Sequence, residues 1–274
     1  MKYKLIVSDF DSTLNHDYDN YVVSQRTLDA IDLYRKAGGI FCISTGRAWC
    51  SIQPYLNRYT MDLVEVPIMC GNGSAVYSST TGKILFEERL TNLQTLQIMQ
   101  FAYDIGEHVQ VDIDSVSYVQ QNDMVQTYLD FDKLQVQKMD NLLEFVLKTR
   151  AEPHTLGILC HNHTVFQLKE EVDQMFDFVD TTVCGNNLLE ITSCKAGKGN
   201  SALAVAKFLG VPIANTICIG DSYNDVSMIQ IAGLGIAMGN ARQDVKDVAK
   251  LVAGDSKDDG VAKILEQATQ DLLD

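Results

Sequence analysis

Short apolar runs that stop abruptly at polar residues recur in the first third of the chain and again in its last third. Runs of about four to eight apolar residues are typical of strands that are buried on both faces. Four such runs are predicted as strands, over residues 4–8, 40–44, 66–70 and 216–219. Each is followed at once by acidic, hydroxyl-bearing or glycine residues, so polar groups lie at the ends of the predicted strands.

Amphipathic stretches separate these strands. Ser24 is the predicted N-cap of a helix that continues to Lys36, and a second helix is predicted over residues 198–209. Short strands that alternate with helices predict an α/β fold, with a parallel sheet covered on both faces. Open sheets of this kind bind ligands beyond the carboxyl ends of their strands, so the polar residues there become the candidates for function.

The middle of the chain follows a different pattern, in which helix-like stretches mix with segments of alternating polarity. Helices are predicted over 92–103, 140–148 and 164–176, and strands over 109–113, 117–120, 156–160 and 179–183. This α+β pattern predicts that residues 85–185 form a second domain, inserted into a first domain made of residues 1–84 and 186–274.

The composition excludes several classes of partner. Of 274 residues, 46% are hydrophobic and 21% are charged, as in an ordinary folded protein. A net charge of −14 argues against binding to nucleic acid or to a membrane surface. We find no apolar stretch that would suit a signal peptide or a membrane span. The seven cysteines form no C-x-x-C pair, so we expect reduced thiols and a cytoplasmic location.

Two carboxylates follow the first predicted strand, at Asp9 and Asp11. Carboxylates two residues apart at a strand end repel one another unless a cation joins them, and Mg²⁺ is a hard ion that binds carboxylates together with substrate phosphate. One carboxylate could then act as a nucleophile and the other as a general acid and base. For this pair alone, the commoner alternative is a solvated turn that simply ends the strand.

A second acidic pair, Asp221 and Asp225, follows the last predicted strand. Its structural alternative is an aspartate that caps the next helix. Taken with Asp9 and Asp11, however, the pair completes the acidic cluster that a Mg²⁺ site requires.

Two further groups could bind a phosphoryl oxygen. Thr45-Gly46-Arg47 follows a predicted strand and offers a hydroxyl together with backbone N–H groups, although a plain turn into a helix would suit the same residues. Lys198 lies at the predicted start of a helix, where a cation is mildly unfavourable and needs an anionic partner or solvent.

These groups in this order resemble the motifs of the haloacid dehalogenase (HAD) superfamily, and within it the Cof-type phosphatases of subclass IIB. The matching segments cover nearly the whole chain: Asp9-Phe10-Asp11-Ser12-Thr13-Leu14, Ser44-Thr45-Gly46-Arg47, Cys70-Gly71-Asn72-Gly73-Ser74-Ala75, Lys198-Gly199, Gly220-Asp221-Ser222-Tyr223-Asn224-Asp225, Ala237-Met238-Gly239-Asn240-Ala241 and Asp259-Gly260-Val261-Ala262. One departure is Ser12, where the family usually has glycine; the turn could be slightly altered, since serine tolerates fewer backbone angles.

The resemblance implies a catalytic role for several of these residues. Asp9 would be the nucleophile that forms an aspartyl-phosphate, and Asp11 would protonate the leaving alcohol and then deprotonate the hydrolytic water. Thr45 and Lys198 would hold the phosphoryl oxygens.

The resemblance also implies a metal and a substrate side. Mg²⁺ would be bound by Asp9, the backbone carbonyl of Asp11 and Asp221, with Asp225 as a ligand or close behind. Residues expected on the phosphate or substrate side, with less support, are Gly46, Arg47, Asn72 and Asn224.

The implied fold is a Rossmann-like HAD core with an inserted α+β cap of the C2 type (C2B), which selects the substrate. The interval from Asp11 to Thr45 is too short for a cap, whereas that from Thr45 to Lys198 holds one easily. We therefore expect a Mg²⁺-dependent phosphoric monoester hydrolase acting on small phosphorylated metabolites, such as sugar phosphates, nucleotides or phosphorylated cofactors. The alternatives are a non-catalytic regulator that binds such metabolites, and a phosphotransferase or mutase. The physiological substrate and the oligomeric state stay open.

Overall fold

The structure is a computed structural model that describes residues 1–16, 22–58, 66–114, 116–120 and 136–273. The chain divides into two compact units. The first unit comprises Met1–Gly46, Pro54–Phe86 and Lys198–Asp274, and the second comprises Arg47–Gln53 and Glu87–Gly197. The assignment of catalytic core and cap roles, with boundaries at residues 85 and 185, stays a prediction.

Within the described residues, two sheets account for all of the strands that pair in ladders. The strands are β1 (Leu5–Asp9), β2 (Ile40–Ser44), β3 (Pro67–Cys70), β4 (Ala75–Ser78), β5 (Ile84–Glu87), β6 (His108–Ile113), β7 (Val116–Gln120), β8 (Val136–Met139), β9 (Thr155–Leu159), β10 (Val179–Cys184), β11 (Leu188–Ser193), β12 (Thr216–Gly220), β13 (Leu234–Ala237) and β14 (Leu251–Val252). The helices are α1 (Gln25–Lys36), α2 (Trp49–Arg58), α3 (Asn92–Asp104), α4 (Leu142–Thr149), α5 (Val165–Met175), α6 (Lys198–Phe208), α7 (Val226–Ile231), α8 (Gln243–Val248) and α9 (Gly260–Thr269).

The eight-stranded sheet of the first unit has the order β14-β13-β12-β1-β2-β3-β4-β5. β1 lies in its interior, parallel to β12 on one side and to β2 on the other. All five residues of β1 are buried, which explains the apolar run of residues 5–7 at the start of the strand. In the ladders Asp9 pairs with Ser44 and Ser8 pairs with Ile219, so β1, β2 and β12 end at the same edge of the sheet.

The predicted parallel sheet is confirmed, since the neighbouring strands from β14 to β3 are all parallel. No strand was predicted at β4 or β5 from the sequence, and the structure adds both to the sheet. β3 and β4 are antiparallel, with Pro67 opposite Ser78. Only the short 3-10 turn Gly71–Gly73 connects them, and a parallel connection would need a crossover of about a dozen residues.

The six-stranded sheet of the second unit has the order β10-β11-β9-β6-β7-β8. Apolar residues from one face of β6, β9 and β11 pack with α3, α4 and α5 into a single core. The predicted α+β character of this segment is confirmed, although β8 and β11 had no counterpart among the predicted strands.

None of the described helices has the length and apolar character needed to cross a membrane. Cys42 and Cys218 lie as buried free thiols in β2 and β12, where they pack as small apolar side chains. The predicted cytoplasmic location stays a prediction.

One side chain joins the first helix of the chain to the last. Ser24 is the N-cap of α1, as predicted, and its Oγ accepts a hydrogen bond from the Thr27 N–H at 3.1 Å. The same hydroxyl donates to Asp259 Oδ1 at 2.5 Å, and Asp259 precedes the first residue of α9. Ser24 therefore stabilises the start of α1 and holds the start of α9 against it.

We expect Ser24→Ala to lower the free energy of unfolding by about 1–2 kcal/mol, because the cap and the bond to Asp259 are lost together. Thermal denaturation followed by circular dichroism would show the melting temperature falling by a few degrees. Ser24→Thr keeps the hydroxyl and serves as the control. Equal melting temperatures for wild type and Ser24→Ala would contradict the assignment.

Candidate active site

Asp9 and Asp11 lie at the carboxyl end of β1, in the turn that leaves the sheet. Asp9 is almost fully buried, and Asp11 is half-buried. The turn is closed by a bond from the Asn15 N–H to the Phe10 carbonyl at 2.8 Å. Because β1 is held on both sides by other strands, the position of Asp9 is set by the sheet itself.

Ser12, at the point where the sequence departs from the family's usual glycine, has a φ of 60°. This is the left-handed region, which glycine adopts freely and other residues adopt at a cost of about 1–2 kcal/mol. The turn therefore keeps a glycine-like backbone conformation although it carries a serine.

Lys198 is the first residue of α6 and is completely buried. Its Nζ donates to Asp9 Oδ1 at 2.5 Å and to Asp225 Oδ1 at 2.6 Å. Burial by itself would lower the pKa of Lys198, but the charges of Asp225 and Asp9 outweigh burial, so the pKa is raised. The side chain is therefore a buried ammonium ion between two carboxylates.

Asp225 uses both of its carboxylate oxygens. Oδ1 accepts from Lys198, and Oδ2 accepts the backbone N–H groups of Asp221 and Ser222, each at 3.0 Å. A side chain at Gly220 would collide with this carboxylate, which explains the glycine before Asp221. Asp225 thus shapes the loop after β12 and anchors the lysine.

Asp221 completes the cluster. Thr13 Oγ1 donates to Asp221 Oδ1 at 2.9 Å, which ties the loop after β1 to the loop after β12. Burial raises the pKa of Asp221 to about 6, and the neighbouring Asp225 carboxylate adds to this effect. Burial also raises the pKa of Asp9. Lys198 opposes this effect, and the negative charges of Asp225 and Asp221 add to it. The cluster is therefore short of positive charge.

The donor set fits a hard divalent cation. Asp9, Asp221 and Asp225 each offer one oxygen within 4.8 Å of the other two, and no second group of this kind occurs in the part of the chain that the structure describes. Three carboxylates and one ammonium carry a formal charge of −2, which one divalent cation would neutralise. Because Asp225 already accepts three hydrogen bonds, Asp9 and Asp221 are the better placed to bind a metal directly.

The predicted phosphate-side residues form a second connected group. The Thr45 N–H donates to the Met69 carbonyl at 2.9 Å, and the Asn72 N–H donates to the Thr45 carbonyl at 3.1 Å. Asn224 Nδ2 donates to Asn72 Oδ1 at 2.8 Å. The loops after β2, β3 and β12 are thereby joined through Thr45, Asn72 and Asn224.

The backbone conformation of Asn72 and the absence of a side chain at Gly46 let these loops lie close together. Asn72 is in the left-handed region, with a φ of 53°, at the centre of the turn between β3 and β4. A Cβ at Gly46 would lie 3.1 Å from Asn72 Oδ1, so a larger residue after Thr45 would push the asparagine amide aside by a few tenths of an ångström. Gly46 therefore contributes space for the asparagine, whereas its predicted role on the substrate side stays a prediction.

Arg47 belongs to the second unit, where it is buried and its Nη1 lies 3.3 Å from Ser51 Oγ. Its predicted role on the substrate side also stays a prediction.

Two polar residues of the site were assigned no role from the sequence. Thr13 holds Asp221, and Asn240 Nδ2 donates to the Ser12 carbonyl at 2.8 Å. Both stand inside motifs that the sequence analysis quotes, but those motifs do not reveal which partner each side chain contacts. Neither contact joins neighbours in the chain, so local patterns could not have revealed them.

Comparison with known proteins agrees with this architecture. A family model described as haloacid dehalogenase-like hydrolase matches residues 6–265. Phosphatase YwpJ of Bacillus subtilis is 26% identical, over 96% of this chain and 99% of the relative. Pyridoxal phosphate phosphatase YbhA of Escherichia coli is 25% identical, over 97% of this chain and 98% of the relative.

A solved structure shows the same fold. The crystal structure of a haloacid dehalogenase-like hydrolase from Bacteroides thetaiotaomicron has a TM-score of 0.80 with this chain at 24% identity, covering 97% of this chain and 99% of the other. The family match extends over nearly the whole sequence, and it includes all four acidic residues of the two strand-end pairs. The predicted fold and enzyme class are confirmed: this chain belongs to the haloacid dehalogenase-like hydrolases, among relatives that are named phosphatases.

Proposed function

We propose that this hydrolase is a Mg²⁺-dependent phosphatase that cleaves small phosphorylated metabolites through an aspartyl-phosphate at Asp9. The observation that carries the proposal is the cluster of Asp9, Lys198, Asp221 and Asp225, in which one buried ammonium ion contacts two of three closely spaced carboxylates. Such a cluster is short of positive charge, which a hard divalent cation would supply, and that cation would in turn attract an anionic phosphoryl group.

The metal would be held by Asp9 and Asp221, with Asp225 behind them and the backbone carbonyl of Asp11 as the further predicted ligand. When bound, Mg²⁺ supplies positive charge that stabilises the phosphoryl oxygens as charge develops on them.

Asp9 is the group proposed to attack phosphorus. Its carboxylate oxygen forms the new O–P bond while the bond to the leaving alkoxide oxygen breaks. Asp11 donates its proton to that oxygen, so the product leaves as a neutral alcohol. The Lys198 ammonium already touches Asp9 and lies where it can balance charge on the transferred phosphoryl group.

Hydrolysis of the aspartyl-phosphate reverses these roles. Asp11, now a carboxylate, takes a proton from water as the water oxygen attacks phosphorus. The O–P bond to Asp9 breaks, phosphate is released, and the Asp9 carboxylate is restored. Thr45 and the turn that follows it are proposed to hold phosphoryl oxygens, with Asn72 and Asn224 fixing that turn through their hydrogen bonds.

In this proposal the inserted segment, predicted as a C2-type cap over residues 85–185, selects the substrate. A relative named pyridoxal phosphate phosphatase supports a small phosphorylated metabolite as the substrate class. Pyridoxal phosphate, sugar phosphates and nucleotides therefore form the natural panel for an assay.

The role of Asp9 as the nucleophile can be tested by substitution. Asp9→Asn is expected to reduce kcat on any accepted phosphomonoester by at least about a thousandfold, because an amide cannot form the covalent intermediate. Phosphate release would be measured across the panel with and without Mg²⁺. Trapping of ³²P on wild type, and its absence on Asp9→Asn, would identify the intermediate.

Asp32→Asn is a matched control, because Asp32 is exposed and contacts Lys36 in a surface pair. It should retain wild-type rates. Turnover by folded Asp9→Asn at the wild-type rate would exclude the aspartyl-phosphate. If folded wild type binds the esters and releases no phosphate, the regulator is the better description; transfer to an added sugar in place of water would favour the phosphotransferase.

The affinity of the proposed site for Mg²⁺ is expected to depend on pH. The metal binds the ionised form of Asp221, whose pKa is raised to about 6, so affinity should fall as pH drops through that value. Between pH 7.5 and 5.5 the ionised fraction falls from nearly all to about one quarter, and the Mg²⁺ association constant should fall about fourfold from this group alone. Isothermal titration calorimetry at the two pH values would measure the change.

Asp221→Asn is the informative comparison, because it removes the titrating group together with a ligand. Its affinity for Mg²⁺ should be weaker at both pH values and should vary less between them. A wild-type affinity that is constant, or that rises toward pH 5.5, would contradict binding at Asp221.

A further inference from the structure

The left-handed conformation of Ser12 needs support from its surroundings. A non-glycine residue with a φ of 60° is strained, and such residues persist only where neighbouring contacts fix them. Ser12 lies between Asp11 and Thr13, so any change in its backbone angles would move both neighbours.

Asn240 provides such a contact. Its side-chain Nδ2 donates to the Ser12 carbonyl at 2.8 Å, and its Oδ1 accepts the Ser256 N–H at 2.9 Å. The amide is therefore held at both ends, by a loop after β1 and by the 3-10 turn Ser256–Asp258. A hydrogen bond to the carbonyl fixes its direction, and the direction of the carbonyl follows the ψ angle of Ser12.

The backbone around Asn240 is itself fixed to the acidic loop after β12. The Met238 N–H donates to the Gly220 carbonyl at 2.9 Å, and the Arg242 N–H donates to the Asp221 carbonyl at 3.3 Å. The segment from Met238 to Arg242 thus contacts both of the loops that carry acidic residues.

Glycine contacts keep the same segment close to the C-terminal loop. The Gly239 N–H donates to the Gly254 carbonyl at 3.0 Å, and a Cβ at Gly239 would lie within 3 Å of the backbone at Gly254 and Asp255. Asn240 is therefore presented from a rigid base, and its amide can act as a fixed support for Ser12.

We infer that Asn240 is a positioning residue for the reaction: by holding Ser12 in the left-handed conformation, it sets the places of the Asp11 carboxyl and the Thr13 hydroxyl relative to Asp9 and Asp221. Asn240 touches neither Asp11 nor Asp9 in any hydrogen bond that the structure describes, so its effect passes through the backbone at Ser12. The kinetic consequence rests on the proposed phosphatase function.

The test is a double-mutant cycle between Asn240 and Ser12. Asn240→Ala in the wild-type background should lower kcat about tenfold with KM changed less than about twofold, because the chemical step depends on the placement of Asp11. In the Ser12→Gly background the same substitution should lower kcat by less than about threefold, since glycine holds φ > 0 without support.

A merely structural role for Asn240 would not give this rescue, because a general loss of packing at Asn240 costs the same in both backgrounds. Equal losses of kcat in the two backgrounds would overturn the inference. Gln243→Ala is the matched control, since this exposed amide bonds only within its own helix, to Asp247, among the contacts described. It should leave kcat unchanged.

A second readout separates this inference from the proposed function. Melting temperatures of the four proteins in the cycle need no activity, and Asn240→Ala should lower the melting temperature more with Ser12 present than in the Ser12→Gly background. If wild type releases no phosphate but this coupling is found, the phosphatase proposal fails while the support of Ser12 by Asn240 stands. Additive melting temperatures would overturn the support itself.

Discussion

The buried ammonium group of Lys198 is the interaction on which the acidic edge of the sheet depends. Carboxylates as close as those of Asp9 and Asp225 cannot share a buried space without a compensating charge. Lys198 reaches both of them from the first residue of α6, where the helix dipole disfavours a cation. The carboxylates and the lysine therefore need one another: neither is stable at that place alone.

Charge also acts on a larger scale. A chain with a net charge of −14 repels a phosphate ester at long range, and the acidic cluster repels it at short range. In the proposed mechanism, attraction comes from a few local groups: one buried ammonium, backbone N–H groups and the proposed Mg²⁺. Affinity for a phosphate ester would then depend on which of these groups are present and charged, and the net charge of the chain would add no attraction.

The sequence predicted the parts of the fold that depend on local patterns. Short apolar runs predicted buried strands such as Ile40–Ser44. The position of Ser24 before an amphipathic helix predicted its role as the N-cap. The acidic pairs were identified because each directly follows an apolar run in the sequence. Partner choice was not predictable: which two carboxylates Lys198 contacts, and that Asn240 meets Ser12, depend on the packing of segments far apart in the chain. β4 was not predicted because its buried apolar run, residues 75–77, is only three residues long and follows a glycine-rich turn.

The place of β1 between β2 and β12 has a consequence for how the protein is made. Lys198 and Asp9 are 189 positions apart in the chain, so all of the residues between them are synthesised before Lys198. Until β12 and α6 are synthesised, β1 has one open edge and Asp9 lacks its counter-ion. The sheet therefore stays incomplete while the second unit is being translated, and the cluster around Asp9 can form only once the last third of the polypeptide has been made.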